Sequence, residues 1–223
     1  MTAHFEKGRR RMLLFGAVVA YGMATGAPAA SAATFSARET HRGLVIDRAD
    51  GTTGSLVANG WLRRPGEPAL VYRDSGVAVA SVWEPGRGGA VVRTGPTVKA
   101  PVLGRIVPSW NDDELRLTIE PAGAAPVQTT VFERASGGGD AALNRGTSTW
   151  EELKGTYRAT LQSSGGGNAG WLSVDVDAEG ATRFAGDLPP TISPALAAAA
   201  AAAVDSEVDS IYRSVVDVSP FRR

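Results

Sequence analysis

A chain of 223 residues, 43% hydrophobic and with 23 basic side chains against 23 acidic ones, has the composition of a globular protein with one good core. It contains no cysteine, which excludes disulfides, thiolate metal sites and a lipid anchor on a processed cysteine. No cluster of Lys and Arg follows the first eleven residues. That argues against nucleic acid and against a polybasic membrane-surface site.

Residues 1–32 read as a removable export signal. A polar start leads into Arg9-Arg10-Arg11, then the apolar run Met12 to Met23, then the small-residue stretch Ala27-Pro28-Ala29-Ala30-Ser31-Ala32. The apolar run is shorter than the roughly 20 residues that span a bilayer as a helix, so an uncleaved anchor is disfavoured. Arg9-Arg10-Arg11-Met12-Leu13, with Gly16, Gly22 and Gly26 diluting the run, resembles the twin-arginine type of bacterial export signal. That resemblance implies a chain that folds before it crosses the membrane; three arginines suit the general secretion route as well. Cleavage is expected after Ala32, with Ala29 as the alternative. It removes four of the 23 basic and one of the 23 acidic side chains, leaving a net charge of −3 on a periplasmic or secreted protein.

Residues 33–190 are expected to form an antiparallel β domain. Leu44 to Asp47 and Ser55 to Leu62 read as strands. Ala69 to Arg73 and Val77 to Trp83 read as a hairpin across Asp74-Ser75-Gly76, where Gly76 can take the positive φ that a tight turn needs. Residues 86–108 are broken by Gly and Pro, so only short strands are expected there. Leu115, Leu117 and Ile119 alternate with Arg116, Thr118 and Glu120, the pattern of a strand with one buried face, and Pro121 to Pro126 turn it back into Val127 to Glu133. A Gly-rich loop occupies 136–149. Strands resume at Gly155 to Gln162, Trp171 to Asp177 and Ala181 to Ala185, a meander too small to stand alone that is expected to complete the same sheet.

Residues 191–219 form a long helix. Ser193 suits the N-cap, Pro194 the first helical position, and Ala195 to Ala203 is broken only by Leu196. Val204, Val208, Ile211, Val215 and Val218 recur at steps of four and three, a narrow stripe that could seat against a partner helix or pack on its own sheet. Through Val218 the helix would be roughly 37 Å long at about 1.5 Å per residue.

Each candidate for chemistry has a bland competitor. Asp74-Ser75-Gly76 matches the aspartic-protease triplet but is fully explained as a turn. Asp175, Asp177 and Glu179 before Gly180 resemble the first half of a calcium loop, although position 12 is Gly186 rather than Glu. Trp110 beside Asp112, Asp113 and Glu114 could line a sugar site or supply hydrolytic carboxylates. Trp171 faces opposite to Leu172, Val174 and Val176, which makes it a further ligand-binding candidate. His41, the only histidine beyond the signal, has no Gly-x-Ser-x-Gly to serve and reads as a surface residue.

The expected protein is mainly β, an antiparallel barrel or sandwich with one long C-terminal helix. Its expected function is non-enzymatic binding in the bacterial cell envelope, without a cofactor or a metal. The ligand would be small, apolar or carbohydrate, held near Trp110, Asp112 and Trp171. An envelope partner would instead meet Val204, Val208, Ile211 and Val215. The alternative is a small secreted hydrolase using Asp112 and Glu114.

Overall fold

A computed structural model describes residues 33–41, 43–59, 67–83, 89–135 and 142–217. Residues 1–32, expected to be an export signal, Trp61 and the glycines at 137–139 lie outside the described residues. Thirteen strands follow one another in a single antiparallel sheet. They are β1 (Ala33–Thr40), β2 (Gly43–Arg48), β3 (Thr53–Ala58), β4 (Leu70–Asp74), β5 (Val77–Trp83), β6 (Ala90–Thr94), β7 (Val102–Asn111), β8 (Glu114–Pro121), β9 (Val127–Thr129), β10 (Glu133–Arg134), β11 (Gly155–Ser163), β12 (Asn168–Val176) and β13 (Thr182–Leu188).

Two non-sequential pairings close the sheet. β13 returns to β1, with Ala37 opposite Phe184, and β9 pairs with β11, with Leu161 opposite Thr129. The result is a twelve-stranded barrel, to which β10 adds a two-residue rung on β11. Of barrel and sandwich, the barrel is the architecture found. Closure removes the exposed sheet edges on which a strand of another chain could pair.

Most of the expected strands are present, and two differences have physical causes. β1 is not among the expected strands, because its alternating Phe35 and Ala37 make only a short signal. β7 runs for ten residues where only short strands were expected. It tolerates Pro108 because the opposite residue, Leu117, directs its N–H away from β7 to Thr129 Oγ1 at 2.8 Å. The Pro108–Leu117 pair therefore exchanges no hydrogen bonds, and the missing proline N–H is not needed.

A helix, α2 (Pro194–Asp217), threads this barrel. Ser193 caps it, its Oγ accepting the Leu196 N–H at 3.3 Å and its carbonyl the Ala197 N–H at 2.9 Å. Ala195 to Ala201 are buried without interruption, so no side of the helix faces water over that stretch. It touches β2, β3, β6, β7, β8 and β13, strands drawn from around the ring.

Geometry explains why alanine is needed. Twelve strands about 4.8 Å apart, tilted about 40°, close at a radius of about 12 Å. Inward side chains such as Phe35, Ile46, Leu56, Ile106, Leu117 and Phe184 fill the outer half of that radius, leaving a channel about one slender helix wide. At Gly104 the wall itself gives way: a Cβ there would lie 2.9 Å from Leu196 Cδ2 and 2.5 Å from the Glu120 carbonyl oxygen. Lumen and helix form one continuous core.

Candidate functional site

Filling the lumen leaves the two ends of the barrel as the places where side chains can meet a ligand. At the end where α2 enters, β1, β2, β13 and the loop to the helix enclose a pocket of about 250 Å³. Phe35, Ile46, Leu188, Ile192 and Ala197 supply apolar lining, and Arg48 and Asp50 supply charge.

Arg48 is positioned by the hairpin between β4 and β5. Ser75 and Gly76 take φ of 49° and 84°, reversing the chain in two residues, so that Asp74 ends β4 beside Arg48. Asp74 Oδ1 accepts from an Arg48 terminal nitrogen at 2.8 Å. The Arg48 side chain is 17% exposed, and its Nε is buried and makes no hydrogen bond among the described residues. Asp50 lies 3.9 Å from that Nε and is itself engaged by Thr52, whose hydroxyl and backbone N–H (2.9 Å) both donate to it. Those bonds hold the Asp50 carboxyl below its ordinary range. Deeper in the wall, burial pushes the Tyr72 phenol above its usual value. Its ring rests over Gly54, where any Cβ would collide with the hydroxyl.

At the opposite end α2 leaves the barrel. Trp110 lies on the inner rim of β7, half-buried, and donates from Nε1 to Glu207 Oε2 at 3.1 Å. Arg145 covers the Trp110 ring at 4.1 Å from its centroid and reaches the same Glu207 oxygen at 3.3 Å. Trp110 thus clasps the helix to the rim. A one-turn helix, α1 (Trp150–Leu153), closes this end further. It carries a capping box between Thr149 and Glu152, and Trp150 meets Tyr212 of α2 edge to face at 4.8 Å.

On the far side of the same exit, Asp205 of α2 accepts a short hydrogen bond from the Thr182 hydroxyl on β13. Asp205 is partly exposed and lines an open polar recess of about 370 Å³ together with Glu39, Gly180, Ser206, Asp209 and Arg213. Burial raises the Asp205 carboxyl to about 6; the Thr182 bond opposes that rise, and the charges of Glu39 and Asp209 add to it.

The expected ligand-binding residues do not converge. Trp110 is on an inner rim. Asp112 and Asp113 are the φ-positive pair (50° and 65°) of the exposed turn between β7 and β8. Glu114 begins β8 and forms an isolated bridge with Asn144. Trp171 is on the outer wall, as its alternation with Leu172 and Val174 requires, and Arg158 stacks on it at 4.3 Å. The stripe expected to meet a partner faces inward: Val204, Val208 and Ile211 are at most 3% exposed, and Val215 packs against them. Those residues contact the chain's own barrel because a helix emerging from a lumen must bury its inner face first.

Two further sequence candidates serve as turns. Asp74-Ser75-Gly76 is the β4–β5 hairpin. Asp177 accepts the N–H groups of Glu179 at 3.0 Å and Ala181 at 2.9 Å, closing the β12–β13 turn, while Asp175 on the outer wall accepts from Thr156 at 2.7 Å. Among the described residues no three His, Cys, Asp or Glu side chains are grouped as metal ligands.

Sequence reasoning missed Arg48, Asp205 and Glu39. Arg48 continues the inward alternation of Leu44 and Ile46, whereas Glu39 is exposed at the end of β1 and Asp205 lies beside the apolar stripe, next to Val204. For Arg48, a charge at a core-facing position was the available signal. Compared with family models, curated proteins and solved structures, the chain matches none.

Proposed function

We propose that this chain is an exported, non-enzymatic binding protein of the bacterial cell envelope, and that its ligand sits where α2 enters the barrel. The observation that carries this reading is the 250 Å³ pocket, apolar on most sides and bearing Arg48 with a buried, unbonded Nε–H. A buried donor without an acceptor is costly, by about 1–3 kcal/mol, and a ligand oxygen would relieve that cost. Export is supported by the form of residues 1–32.

The charges select the ligand's head group. Arg48 is already matched by Asp74, and Asp50 adds a further negative charge at the rim. An anion would meet net repulsion. A cation would compete with Arg48 itself. The ligand is therefore a small, mainly apolar molecule that offers one neutral oxygen, a carbonyl or a hydroxyl.

Saturation-transfer NMR with three ring-matched probes tests this reading. Cyclohexanone should bind, at about millimolar affinity for so small a molecule, and more strongly than cyclohexanecarboxylate or cyclohexylamine. Ala49→Trp, which roofs the pocket from its rim turn, should abolish transfer to all three. Arg48→Lys keeps a cation beside Asp74 but removes Nε, and should erase the preference for the ketone. Equal transfer to the three probes, or transfer that survives Ala49→Trp, would overturn the assignment.

A further inference from the structure

The exit end of the barrel holds a carboxylate in a place where charge is poorly tolerated. Asp205 is on the helix one residue after Val204, which is fully buried, and is itself only partly exposed at the mouth of the lumen. Three elements surround it. From β13, Thr182 donates its hydroxyl to Asp205 and its N–H to Glu39 Oε2 at 3.4 Å. From β1, Glu39 lines the same cavity. From the helix itself, Asp209 lies one turn further on. The one cation lining that cavity among the described residues, Arg213, is engaged by Asp209, at 2.6 Å between Nη2 and Oδ2 and 3.2 Å from Nε to Oδ1. Three carboxylates thus converge on a cavity whose single cation is already paired with one of them.

We propose that this cluster is a proton-operated latch on the plug helix: a proton taken up by Asp205 seats the exit half of α2 in the barrel mouth, and its loss loosens that half. Protonated, Asp205 adds no charge to the cavity and keeps its contact with the Thr182 hydroxyl. Ionised, it is repelled by Glu39 and Asp209 while its solvation is restricted by the wall. The latch acts on the exit half alone, because the alanine half is enclosed mainly by apolar side chains. The direction is set by the raised carboxyl: the seated state holds the proton up to about pH 6, while the released state, with an ordinary carboxyl, gives it up two units lower.

Residue-resolved amide exchange of the signal-free protein, corrected for the intrinsic pH dependence of exchange, tests this. Between pH 5 and pH 7.5 the opening constant for residues 205–215 should rise about tenfold, as two-state linkage with those carboxyl values requires. That of Ala197 to Ala203 should follow only global stability. Asp205→Asn should remove the rise and hold the segment closed at both values, and Glu39→Gln should reduce it. The Trp150–Tyr212 contact, followed by nuclear Overhauser effects in the same samples, gives a second readout of seating that does not depend on either variant. A rise that persists in Asp205→Asn, or native exchange and ring contact that are unchanged across the range, would overturn the latch.

Discussion

The two halves of α2 obey different rules although they are one continuous helix. From Ala195 to Ala201 every residue is buried and nearly every one is alanine; from Val204 onward burial falls on one face only, at Val204, Val208 and Ile211. The first half is surrounded, and its composition records the width of the channel. The second half leans on a rim, and its composition records a direction. Alanine in the first half is therefore a packing requirement, and its helix propensity is a secondary benefit. A run of small alanines on a helix normally signals weak burial; here it marks burial on every side.

That contrast can be broken in graded steps. The largest effect is expected from Val208→Ser combined with Ile211→Ser. Each removes a buried aliphatic side chain, so together they should destabilise the monomer by about 4 kcal/mol or more in denaturant unfolding. If the pair instead dissolved an assembly and left the monomer's stability intact, the stripe would be a partner surface after all. Next comes Ala198→Leu, inside the closed channel, where an added isobutyl group should cost about 1–3 kcal/mol. Ala202→Leu is its control. It adds the same atoms beside a recess of about 240 Å³ that Ala199, Ala202 and Ala203 share with Leu70, Val82 and Pro108, and it should be neutral or stabilising.

Acidity sharpens the comparison at the exit. A carboxyl raised to about 6 in the fold and lying near 3.8 when unfolded imposes its full cost above pH 6. That cost fades as pH falls through the window between the two values, so this group makes the fold more stable toward pH 4. Asp205→Asn should raise the thermal midpoint at pH 7, corresponding to about 1–3 kcal/mol, and leave it unchanged near pH 4. A midpoint that drops at pH 7 would show that the Thr182 bond to the ionised carboxylate outweighs its burial. The smallest effect is expected from Asp112→Asn, since asparagine also accepts the left-handed turn conformation. Its unfolding midpoint should stay within about 0.5 kcal/mol of the parent protein.

Much of the wall was legible in the sequence because alternation is a local property. Leu115, Leu117 and Ile119 announce their buried face, and Asp74-Ser75-Gly76 announces a turn. Closure was not legible, because the pairing of Ala37 with Phe184 joins residues almost 150 positions apart and neither strand advertises the other. The helix was legible as a helix from Ser193 onward; its enclosure was not, since alanine satisfies an exposed helix and a confined one equally well. The tryptophans show the same limit. With the lumen occupied, Trp83, Trp110, Trp150 and Trp171 lie half-buried at rims and on the outer wall rather than filling the core. Trp110 stands at the exit end against Glu207, a contact 97 positions away in sequence that no local pattern announces, and Arg48 gains Asp74 and Asp50 as neighbours only through the fold.

Enclosure of the alanine half can be measured directly, because the chain has no cysteine of its own. Single cysteines at Ala198, Ala199, Ala200 and Ala201 step around the whole circumference of the helix at about 100° each. Under native conditions all four should resist a maleimide until the barrel unfolds, while cysteines at Ser206 and Ser210 react at once. A fast-reacting thiol at any one of the four would put that side of the helix in water, and the helix outside the barrel.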